Sequence, residues 1–518
     1  MQIFEKYRSQ LLSTLSGLLL TVTFPRFDLE IIAWGALVPL FFAIQGTSLG
    51  KAAFFGFITG IIFYFFGLHW VINTMVNYGN IPVLLGYLIL FLLVIYLAFY
   101  VSIFCTLCIK LSGGRPIYFA FLAPFIWTAL EYIRSTPLEY GFSWLGLGYS
   151  QYKSLAVIQI AEIAGVYGVS AMIVGVNSTL HFIINAKFKI GSVDSSYNKN
   201  LGIRLGGVTV MLLILCLGFG FHSLNQYESS GGEPIKVSLI QGNIAQEIKW
   251  DHKFHSRVIQ TYKRLTLQGA KFQPDLMVWP EAATPYFFGV DKKETKALKS
   301  LMAKIGSPLL LGSPYYKQNE SGKTLFNSAY LLGSNGETKN RYDKIHLVPF
   351  GEFVPMPKVL FFVEKMVHGI GSFGRGNHET IFHLGDVPFG VSICYEIIFP
   401  DLVRRPINSG ARFLVNITND AWFGNSAASY QHFSMAALRA VENRVPIVRA
   451  ANTGISGIVD ATGKMHEQTK LFQEAIVNAT IIPSSGKPTI YSQYGDWFCW
   501  LSLLVCVVAG VLIKPSSN

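Results

Sequence analysis

Charged residues are scarce in this chain, and this scarcity limits what kind of protein it can be. Asp, Glu, Lys and Arg make up only 14% of the 518 residues, whereas hydrophobic residues make up 51%. The mean hydropathy is +0.39. This composition excludes a wholly soluble protein and indicates membrane-spanning segments. The length exceeds what one compact core accommodates, so we expect two or more folding units.

Cysteine is also scarce, and its spacing gives no framework. Five of the six cysteines lie in strongly apolar runs, which excludes a disulfide scaffold or a CxxC metal site in the polar part of the chain. Only Cys394 lies in a segment of ordinary soluble composition, where apolar residues precede a polar Cys-Tyr-Glu. This pattern predicts a buried strand that ends at a site. A lone cysteine is nevertheless more often a small buried hydrophobic residue than a nucleophile.

The sequence contains no internal repeat, low-complexity tract, nucleic-acid module, or motif for a metal, nucleotide or other cofactor. The formal charge of +12 could indicate an anionic partner, but much of the excess lies in short loops beside apolar segments. Membrane topology explains such loops better than a nucleic-acid partner does. We therefore expect no cofactor, no metal and no nucleic acid.

Eight apolar segments predict membrane spans, and the first two are short for a bilayer that needs about 20 residues. They cover residues 11–24, 31–44, 52–72, 81–109, 117–133, 155–184, 205–224 and 497–513. Ten Lys and Arg residues fall in the short loops of one side and three in those of the other. The side with ten is expected to be cytoplasmic, which places both termini there and the long segment between the last two spans outside.

These features predict three regions: a seven-helix membrane bundle over 1–228, an external domain over 229–495 and a last span over 496–518. Glu131 and Arg134 lie three residues apart at the end of one span, where pairing or an interfacial position is a simpler explanation than a functional site.

The external segment alternates strand-like and helical patterns, which is typical of a layered α/β domain. Several predicted strands are continuously apolar, as expected for a sheet covered on both faces. The predicted strands are 235–241, 275–279, 308–312, 326–332, 387–394, 412–418 and 446–451. Amphipathic helices with charged outer faces are predicted over 252–268, 291–305 and 427–443.

Three chemically useful residues stand at or near the ends of these predicted strands. Glu281 ends DLMVWPE, Lys344 lies in RYDKIHLVPFGE before Glu352, and Cys394 ends the predicted strand 387–394. Taken singly, the glutamate and the lysine would each be surface groups. Together they meet the needs of acyl transfer, because a thiol needs a base and the oxyanion formed by its attack needs a positive charge.

The order of these motifs resembles the Glu-Lys-Cys triad of the nitrilase superfamily. With SLIQGN at 238–243, KW at 249–250, NITNDAWFG at 416–424, QHFSMAALRAVENRVPIVRAANTGISG at 431–457 and eight flanking spans, the chain is similar to the apolipoprotein N-acyltransferases of the bacterial inner membrane. The resemblance covers nearly the whole chain. It implies a polytopic α-helical membrane domain of about eight transmembrane helices and a periplasmic nitrilase-like αββα sandwich.

The resemblance also implies roles for individual residues. Glu281 matches the general base, Lys344 the oxyanion-stabilising lysine, Cys394 the nucleophile and Glu352 a supporting glutamate. Supporting or substrate-binding roles fall to these residues: Trp250, Tyr395 and Glu396.

The implied reaction passes a fatty acyl chain from a phospholipid, typically phosphatidylethanolamine, through a Cys394 thioester. The acceptor is the α-amino group of the N-terminal diacylglyceryl-cysteine of an apolipoprotein. This transfer is the last step of lipoprotein maturation, and a monomer in contact with membrane lipid is expected.

Two other functions agree with parts of the sequence. A membrane-tethered hydrolase of small amides would need one anchor rather than eight spans. A transporter with an external binding domain would call for charges in the middle of spans, where few occur. Within the external segment, the apolar, glycine-punctuated stretch 353–377 is either a mobile lid that dips into the outer leaflet or a buried helix.

Overall fold

The computed structural model describes residues 6–79, 81–136, 141–188, 197–228, 232–319, 322–353 and 373–513. The chain divides into two compact units. The first comprises Met1–Ile72, Pro82–Leu224 and Tyr494–Asn518, and the second comprises Asn73–Ile81 and Asn225–Gln493. Most of the lid or helix expected at 353–377 lies outside the described residues. The division into 1–228, 229–495 and 496–518 stays a prediction.

The first unit is helical. Its main helices are α1 (Arg8–Val22), α2 (Val38–Ile44), α3 (Leu49–Gly67), α4 (Val83–Ser112), α5 (Pro116–Ser135), α6 (Ala161–Phe188), α7 (Lys199–Glu228) and, after the second unit, α12 (Trp497–Leu512). Among the described residues, the five helices α3 to α7 are long and apolar enough to cross a membrane. Glu30–Ile44 and Trp497–Leu512 are shorter apolar helices. A polytopic helical part is thus confirmed, while the count of eight spans stays a prediction.

The charges at the end of α5 take part in packing within the first unit. Glu131 Oε1 accepts a 2.6 Å hydrogen bond from the backbone N–H of Leu147, and Arg134 donates a 2.8 Å hydrogen bond to the Tyr64 hydroxyl. Glu131 and Arg134 are both buried. Each charge therefore has a structural partner inside the helical unit.

The second unit contains two six-stranded sheets. The first has the order β12-β1-β2-β3-β4-β5, and the second has the order β11-β10-β9-β8-β7-β6. The strands are β1 (Ile235–Gln241), β2 (Leu276–Val278), β3 (Leu309–Asn319), β4 (Gly322–Leu332), β5 (Thr338–Asp343), β6 (Phe382–Leu384), β7 (Val387–Ile393), β8 (Leu414–Thr418), β9 (Ile447–Ala451), β10 (Gly457–Val459), β11 (Met465–His466) and β12 (Ala475–Ile481). Each sheet contains three neighbouring strands that run parallel, β1 to β3 in the first and β7 to β9 in the second.

The core of this unit lies between the two sheets. One apolar cluster joins buried residues of both, such as Val237 and Leu310 from the first and Val391 and Val415 from the second. A separate cluster joins the other face of the first sheet to α8 (His255–Gly269) and α9 (Lys292–Ile305). The helices α10 (Pro400–Asn408) and α11 (Ala428–Asn443) contact the second sheet. The predicted four-layer α/β sandwich is confirmed.

The prediction of a charged outer face is wrong for α11. Every residue of this helix except Tyr430 is buried. Arg439 and Glu442, the charges that suggested an exposed face, form a fully buried ion pair at 2.8 Å. Pairing offsets part of the penalty of burying these charges, and hydropathy does not register such pairing, so it could not reveal that this helix lies inside.

Candidate active site

Glu281 lies just beyond the carboxyl end of β2 and is held by both of its carboxylate oxygens. Oε1 accepts a 2.7 Å hydrogen bond from Asn327 Nδ2, and Oε2 accepts a 2.8 Å bond from the backbone N–H of Asn419. The carboxylate is buried at 7% exposure. A Cβ on Gly312 would lie 2.5 Å from the carbonyl oxygen of Pro280, so only glycine lets β3 pass beneath this turn. The result is a rigidly aimed buried carboxylate.

Lys344 follows β5 and meets two carboxylates. Its Nζ lies 3.5 Å from Glu281 Oε1 and 2.9 Å from Glu352, and its side chain is only 1% exposed. Burial alone would lower the pKa of Lys344, but the carboxylates of Glu352 and Glu281 outweigh burial and raise it. The ammonium therefore stays charged throughout the physiological range.

Glu352 completes this cluster of charges. Its Oε1 accepts hydrogen bonds from Lys344 Nζ and Asn327 Nδ2, both at 2.9 Å, and its Oε2 accepts one from the backbone N–H of Val348 at 2.8 Å. Glu352 forms an ion pair with the Lys344 ammonium at 2.9 Å, and the Glu281 carboxylate lies 3.5 Å from the same ammonium. This arrangement fixes where Lys344 points.

Cys394 directly follows β7 and has a backbone φ of 53°, a left-handed conformation that is uncommon for a residue other than glycine. Its side chain is buried at 9% exposure. Burial raises the pKa of the Cys394 thiol, nearby Glu281 raises it further, and Lys344 acts in the opposite direction with a smaller effect. The resting sulfur is therefore protonated and needs a base before it can attack.

Glu396 occupies the turn that follows the cysteine and is completely buried. Its Oε1 accepts hydrogen bonds from the Tyr342 hydroxyl and from the backbone N–H groups of Ile345 and His346, and its Oε2 accepts one from the backbone N–H of Ile393. The carboxylate thus joins the end of β7 to the segment that carries the lysine. Both carboxylate oxygens of Glu396 therefore have protein partners, and its role as a supporting or substrate-binding residue stays a prediction.

The two aromatic residues expected near the substrate have different surroundings. Tyr395 is half-buried, and its ring lies against those of His346 and Phe399, with centroids 6.0 and 5.1 Å apart. Trp250 is 44% exposed and follows the short helix Gln246–Lys249. Their role in binding substrate stays a prediction.

Three further residues reach the site, although sequence reasoning gave them no role. Asn327 bridges Glu281 and Glu352, Asn419 donates its backbone N–H to the Glu281 carboxylate, and Lys249 Nζ donates to the backbone carbonyl oxygen of Glu281 at 3.3 Å. Lys249 is 1% exposed, and burial lowers its pKa to about 8. Motif membership was a usable signal for Lys249 and Asn419, whereas Asn327 lies inside an ordinary strand pattern.

The chemistry available here is that of acyl transfer. A protonated thiol lies in the electrostatic range of a buried carboxylate and a permanently charged ammonium. Attack on a carbonyl requires a nucleophile, a base and a positive partner for the oxyanion, and these three groups have the chemical types that could supply them. Among the described ranges, no group of three or more His, Cys, Asp or Glu side chains is arranged to hold a metal ion.

The comparisons with known proteins agree with this chemistry. A family model described as the apolipoprotein N-acyltransferase N-terminal domain matches residues 16–179, and the carbon-nitrogen hydrolase model matches residues 236–491. The chain is 41% identical to apolipoprotein N-acyltransferase of Geobacter metallireducens over 512 residues, which is 98% of this chain and 96% of that protein. It is 31% identical to the Haemophilus influenzae enzyme of the same name over 99% of this chain and 96% of that one.

Solved structures give a more distant likeness. Nit3 of Saccharomyces cerevisiae, a member of branch 10 of the nitrilase superfamily, is 20% identical with a TM-score of 0.37, covering 49% of this chain and 92% of that one. NitN amidase from Neterenkonia sp. AN1 is 17% identical with a TM-score of 0.36, covering 50% and 95%.

The named relatives match both the helical part and the α/β part, so neither a small-amide hydrolase nor a transporter is favoured. Identity of this level over almost the full length of both chains shows that this chain belongs to the apolipoprotein N-acyltransferase family.

Proposed function

We propose that this enzyme transfers a fatty acyl chain from a phospholipid to the N-terminal diacylglyceryl-cysteine of apolipoproteins, through a thioester on Cys394. The observation that carries the proposal is the shared position of Lys344 between Glu281 and Glu352, beside a nucleophile at the end of β7. The names of the relatives supply the substrate class, and the site supplies groups suited to the chemistry.

In the first half-reaction, Glu281 accepts the thiol proton as Cys394 Sγ forms a bond to the ester carbonyl carbon. Negative charge moves onto the carbonyl oxygen, where the Lys344 ammonium stabilises it. When this intermediate collapses, the bond to the glycerol oxygen breaks. Glu281 returns its proton to that oxygen, and lysophospholipid leaves.

In the second half-reaction, the acceptor's α-amino nitrogen attacks the thioester carbon and Glu281 accepts a proton from that nitrogen. The C–S bond then breaks, the amide product leaves, and the proton returns to the sulfur. Glu281 thus acts as base and then acid in each half, which requires a carboxylate with a fixed direction. The bonds from Asn327 and Asn419 provide that direction.

We also propose a donor lipid, an oligomeric state and a location for the enzyme. Phosphatidylethanolamine is the proposed donor, the working form is a monomer, and the enzyme lies in the bacterial inner membrane. The excess of basic residues in one set of loops supports cytoplasmic termini and a periplasmic catalytic unit. Trp250 and Tyr395 are proposed to contact substrate, and Glu352 and Glu396 to support the triad.

Trapping the acyl-enzyme tests the mechanism. Wild type, Cys394→Ala and Glu281→Gln are each incubated with phosphatidylethanolamine in detergent micelles without acceptor and then analysed by peptide mass spectrometry. We expect a fatty-acyl mass on the Cys394 peptide of the wild type alone. The matched control Glu474→Gln changes an exposed glutamate paired with Arg264 and should acylate normally. An unmodified wild-type Cys394, or full acylation of Glu281→Gln, would contradict the proposal.

A further inference from the structure

A chain of buried polar side chains lies behind the nucleophile, and none of the roles given so far uses it. Its members are Asp420, His432 and Arg449, with exposures of 1%, 0% and 0%. They come from the motifs at 416–424 and 431–457. Burying two charges and an imidazole together is costly unless their geometry is satisfied, so their arrangement calls for an explanation.

The chain ends at the backbone of Cys394. The carbonyl oxygen of Cys394 lies 3.2 Å from His432 Nε2 and 3.5 Å from Asn416 Nδ2. Because φ at Cys394 is 53°, this peptide has an unfavourable conformation that persists only where neighbouring groups hold it. The direction of the Sγ atom depends on that conformation.

The contacts of His432 determine its protonation state. A carbonyl oxygen only accepts hydrogen bonds, so Nε2 must carry a hydrogen to bond to Cys394. Arg449 Nη2, which only donates, lies 3.0 Å from His432 Nδ1, so Nδ1 must be the acceptor. The imidazole is therefore neutral with its hydrogen on Nε2. Burial and then the charge of Arg449 lower the pKa of His432, and the opposing effects of the Asp420 carboxylate and the Cys394 carbonyl do not reverse that direction, which agrees with a neutral imidazole.

Asp420 and Asn416 hold Arg449 in place. Arg449 Nη2 donates to Asp420 Oδ2 at 2.9 Å, and its Nη1 donates to Asn416 Oδ1 at 2.6 Å. Asp420 Oδ1 accepts a hydrogen bond from the Thr418 hydroxyl at 2.9 Å and also lies 3.2 Å from His432 Nδ1. Burial would raise the pKa of Asp420, yet the charge of Arg449 reverses that effect and lowers it to about 2. Asp420 therefore stays ionised and holds the Arg449 guanidinium, which in turn orients His432.

We propose that His432 is a positioning residue for the nucleophile: its neutral imidazole, oriented by Arg449, fixes the Cys394 peptide so that Sγ keeps its direction through both half-reactions. The imidazole does not act as a base, because its Nε2 faces the Cys394 carbonyl oxygen and its Nδ1 faces Arg449. This inference rests on the proposed role of Cys394 as the acylated residue.

Two amide variants separate this role from a general packing role. The side-chain nitrogen of glutamine can reach the place of the imidazole Nε2, whereas that of asparagine reaches only the place of Nδ1. His432→Gln therefore retains a neutral donor to the Cys394 carbonyl. His432→Asn retains a polar neighbour for Arg449 without that donor, and both replacements are smaller than or similar to the imidazole.

The experiment measures single-turnover acylation of Cys394 at several phosphatidylethanolamine concentrations, with thermal unfolding recorded for each variant. We expect His432→Gln to acylate within about fivefold of wild type. For His432→Asn we expect a loss of about tenfold or more, with the same half-saturating lipid concentration. A tenfold loss corresponds to about 1.4 kcal/mol in the barrier.

Equal acylation rates in the two folded variants would overturn the proposal, as would a folded His432→Gln that is slower than wild type by more than about a hundredfold. If His432→Asn does not fold, the acylation rate of His432→Gln still tests the proposal, because a loss of more than about a hundredfold would overturn it. Wild-type acylation separates the two proposals: an unmodified wild-type Cys394 refutes the acyl-transfer mechanism, whereas normal wild-type acylation with equal variants refutes only the role of His432.

Discussion

Replacing Glu396 with glutamine should weaken the connection between the end of β7, next to Cys394, and the segment that follows Lys344. In the wild type, this fully buried carboxylate accepts four hydrogen bonds, three at Oε1 and one at Oε2. Burial raises the pKa of Glu396, and the bonds from its donors oppose that effect. A glutamine can keep its oxygen at Oε1, but its NH₂ group then faces the backbone N–H of Ile393.

The magnitude follows from that single mismatch. One buried N–H without an acceptor costs about 1–3 kcal/mol. For a unit of this size, each kcal/mol lowers the melting temperature by about 2–4 °C, so Glu396→Gln should melt roughly 4–8 °C below wild type for a cost of about 2 kcal/mol. Glu396→Ala leaves all four donors without this acceptor and should cost more. The acylation rate should fall by about thirtyfold if about 2 kcal/mol is also lost from alignment of the site.

Thermal unfolding and single-turnover acylation at varied lipid concentration measure both effects. The matched control is Glu474→Gln, an exposed pair with Arg264 that should change stability by less than about 1 kcal/mol. A Glu396→Gln variant with wild-type melting and wild-type rate would refute the role given to the four hydrogen bonds of Glu396. So would a variant in which only the half-saturating lipid concentration rises, because that result would indicate direct contact with substrate.

Three other perturbations address the charges of the site. Asn327→Ala removes the amide that joins the two glutamates and should lower the unfolding free energy by about 1–3 kcal/mol, measured by chemical denaturation; an unchanged value would contradict the bridge. Lys344→Met leaves two buried carboxylates without their cation and should cost about 3–5 kcal/mol. It should also move iodoacetamide alkylation of Cys394 to higher pH, because Lys344 lowers the pKa of the thiol; a shift to lower pH would refute this electrostatic assignment. The pKa of Lys249, about 8 when folded against 10.5 for the free group, means that the unfolded chain binds more protons between these values. The unfolding free energy of wild type relative to Lys249→Met should therefore rise by up to about 1.4 kcal/mol per pH unit from pH 8 to 10.5, and a flat difference would contradict the shifted pKa.

The parallel strands of the second unit could be predicted from sequence because their signal is local. Continuous apolar runs indicated β1, β7, β8 and β9 to within a few residues of their observed bounds. The sequence analysis did not predict the antiparallel strands β5, β6, β10, β11 and β12. β5 is mostly polar and exposed, with the sequence TKNRYD, and its stabilising bonds come from β4 rather than from its own pattern.

Local sequence patterns also predicted the exposure of helical charges only in part. The exposed faces of α8 and α9 followed from their periodicity. In α11, the ion pair of Arg439 and Glu442 satisfied two charges internally, so a helix that reads as half-exposed is buried. Amphipathic periodicity reports the polarity of a face but not whether polar groups on it find partners.

The sequence by itself determined the membrane-spanning composition, the layered α/β class and the order of Glu281, Lys344 and Cys394 along the chain. These depend on hydropathy, periodicity and motif, which are properties of neighbouring residues. Only the tertiary structure decided that Asn327 bridges the two glutamates and that His432 lies behind the nucleophile. Asn327 lies 46 residues from Glu281 and His432 lies 38 from Cys394. Such contacts arise where elements distant in sequence, here β4 and α11, pack beside the ends of other strands, and no local pattern encodes that packing.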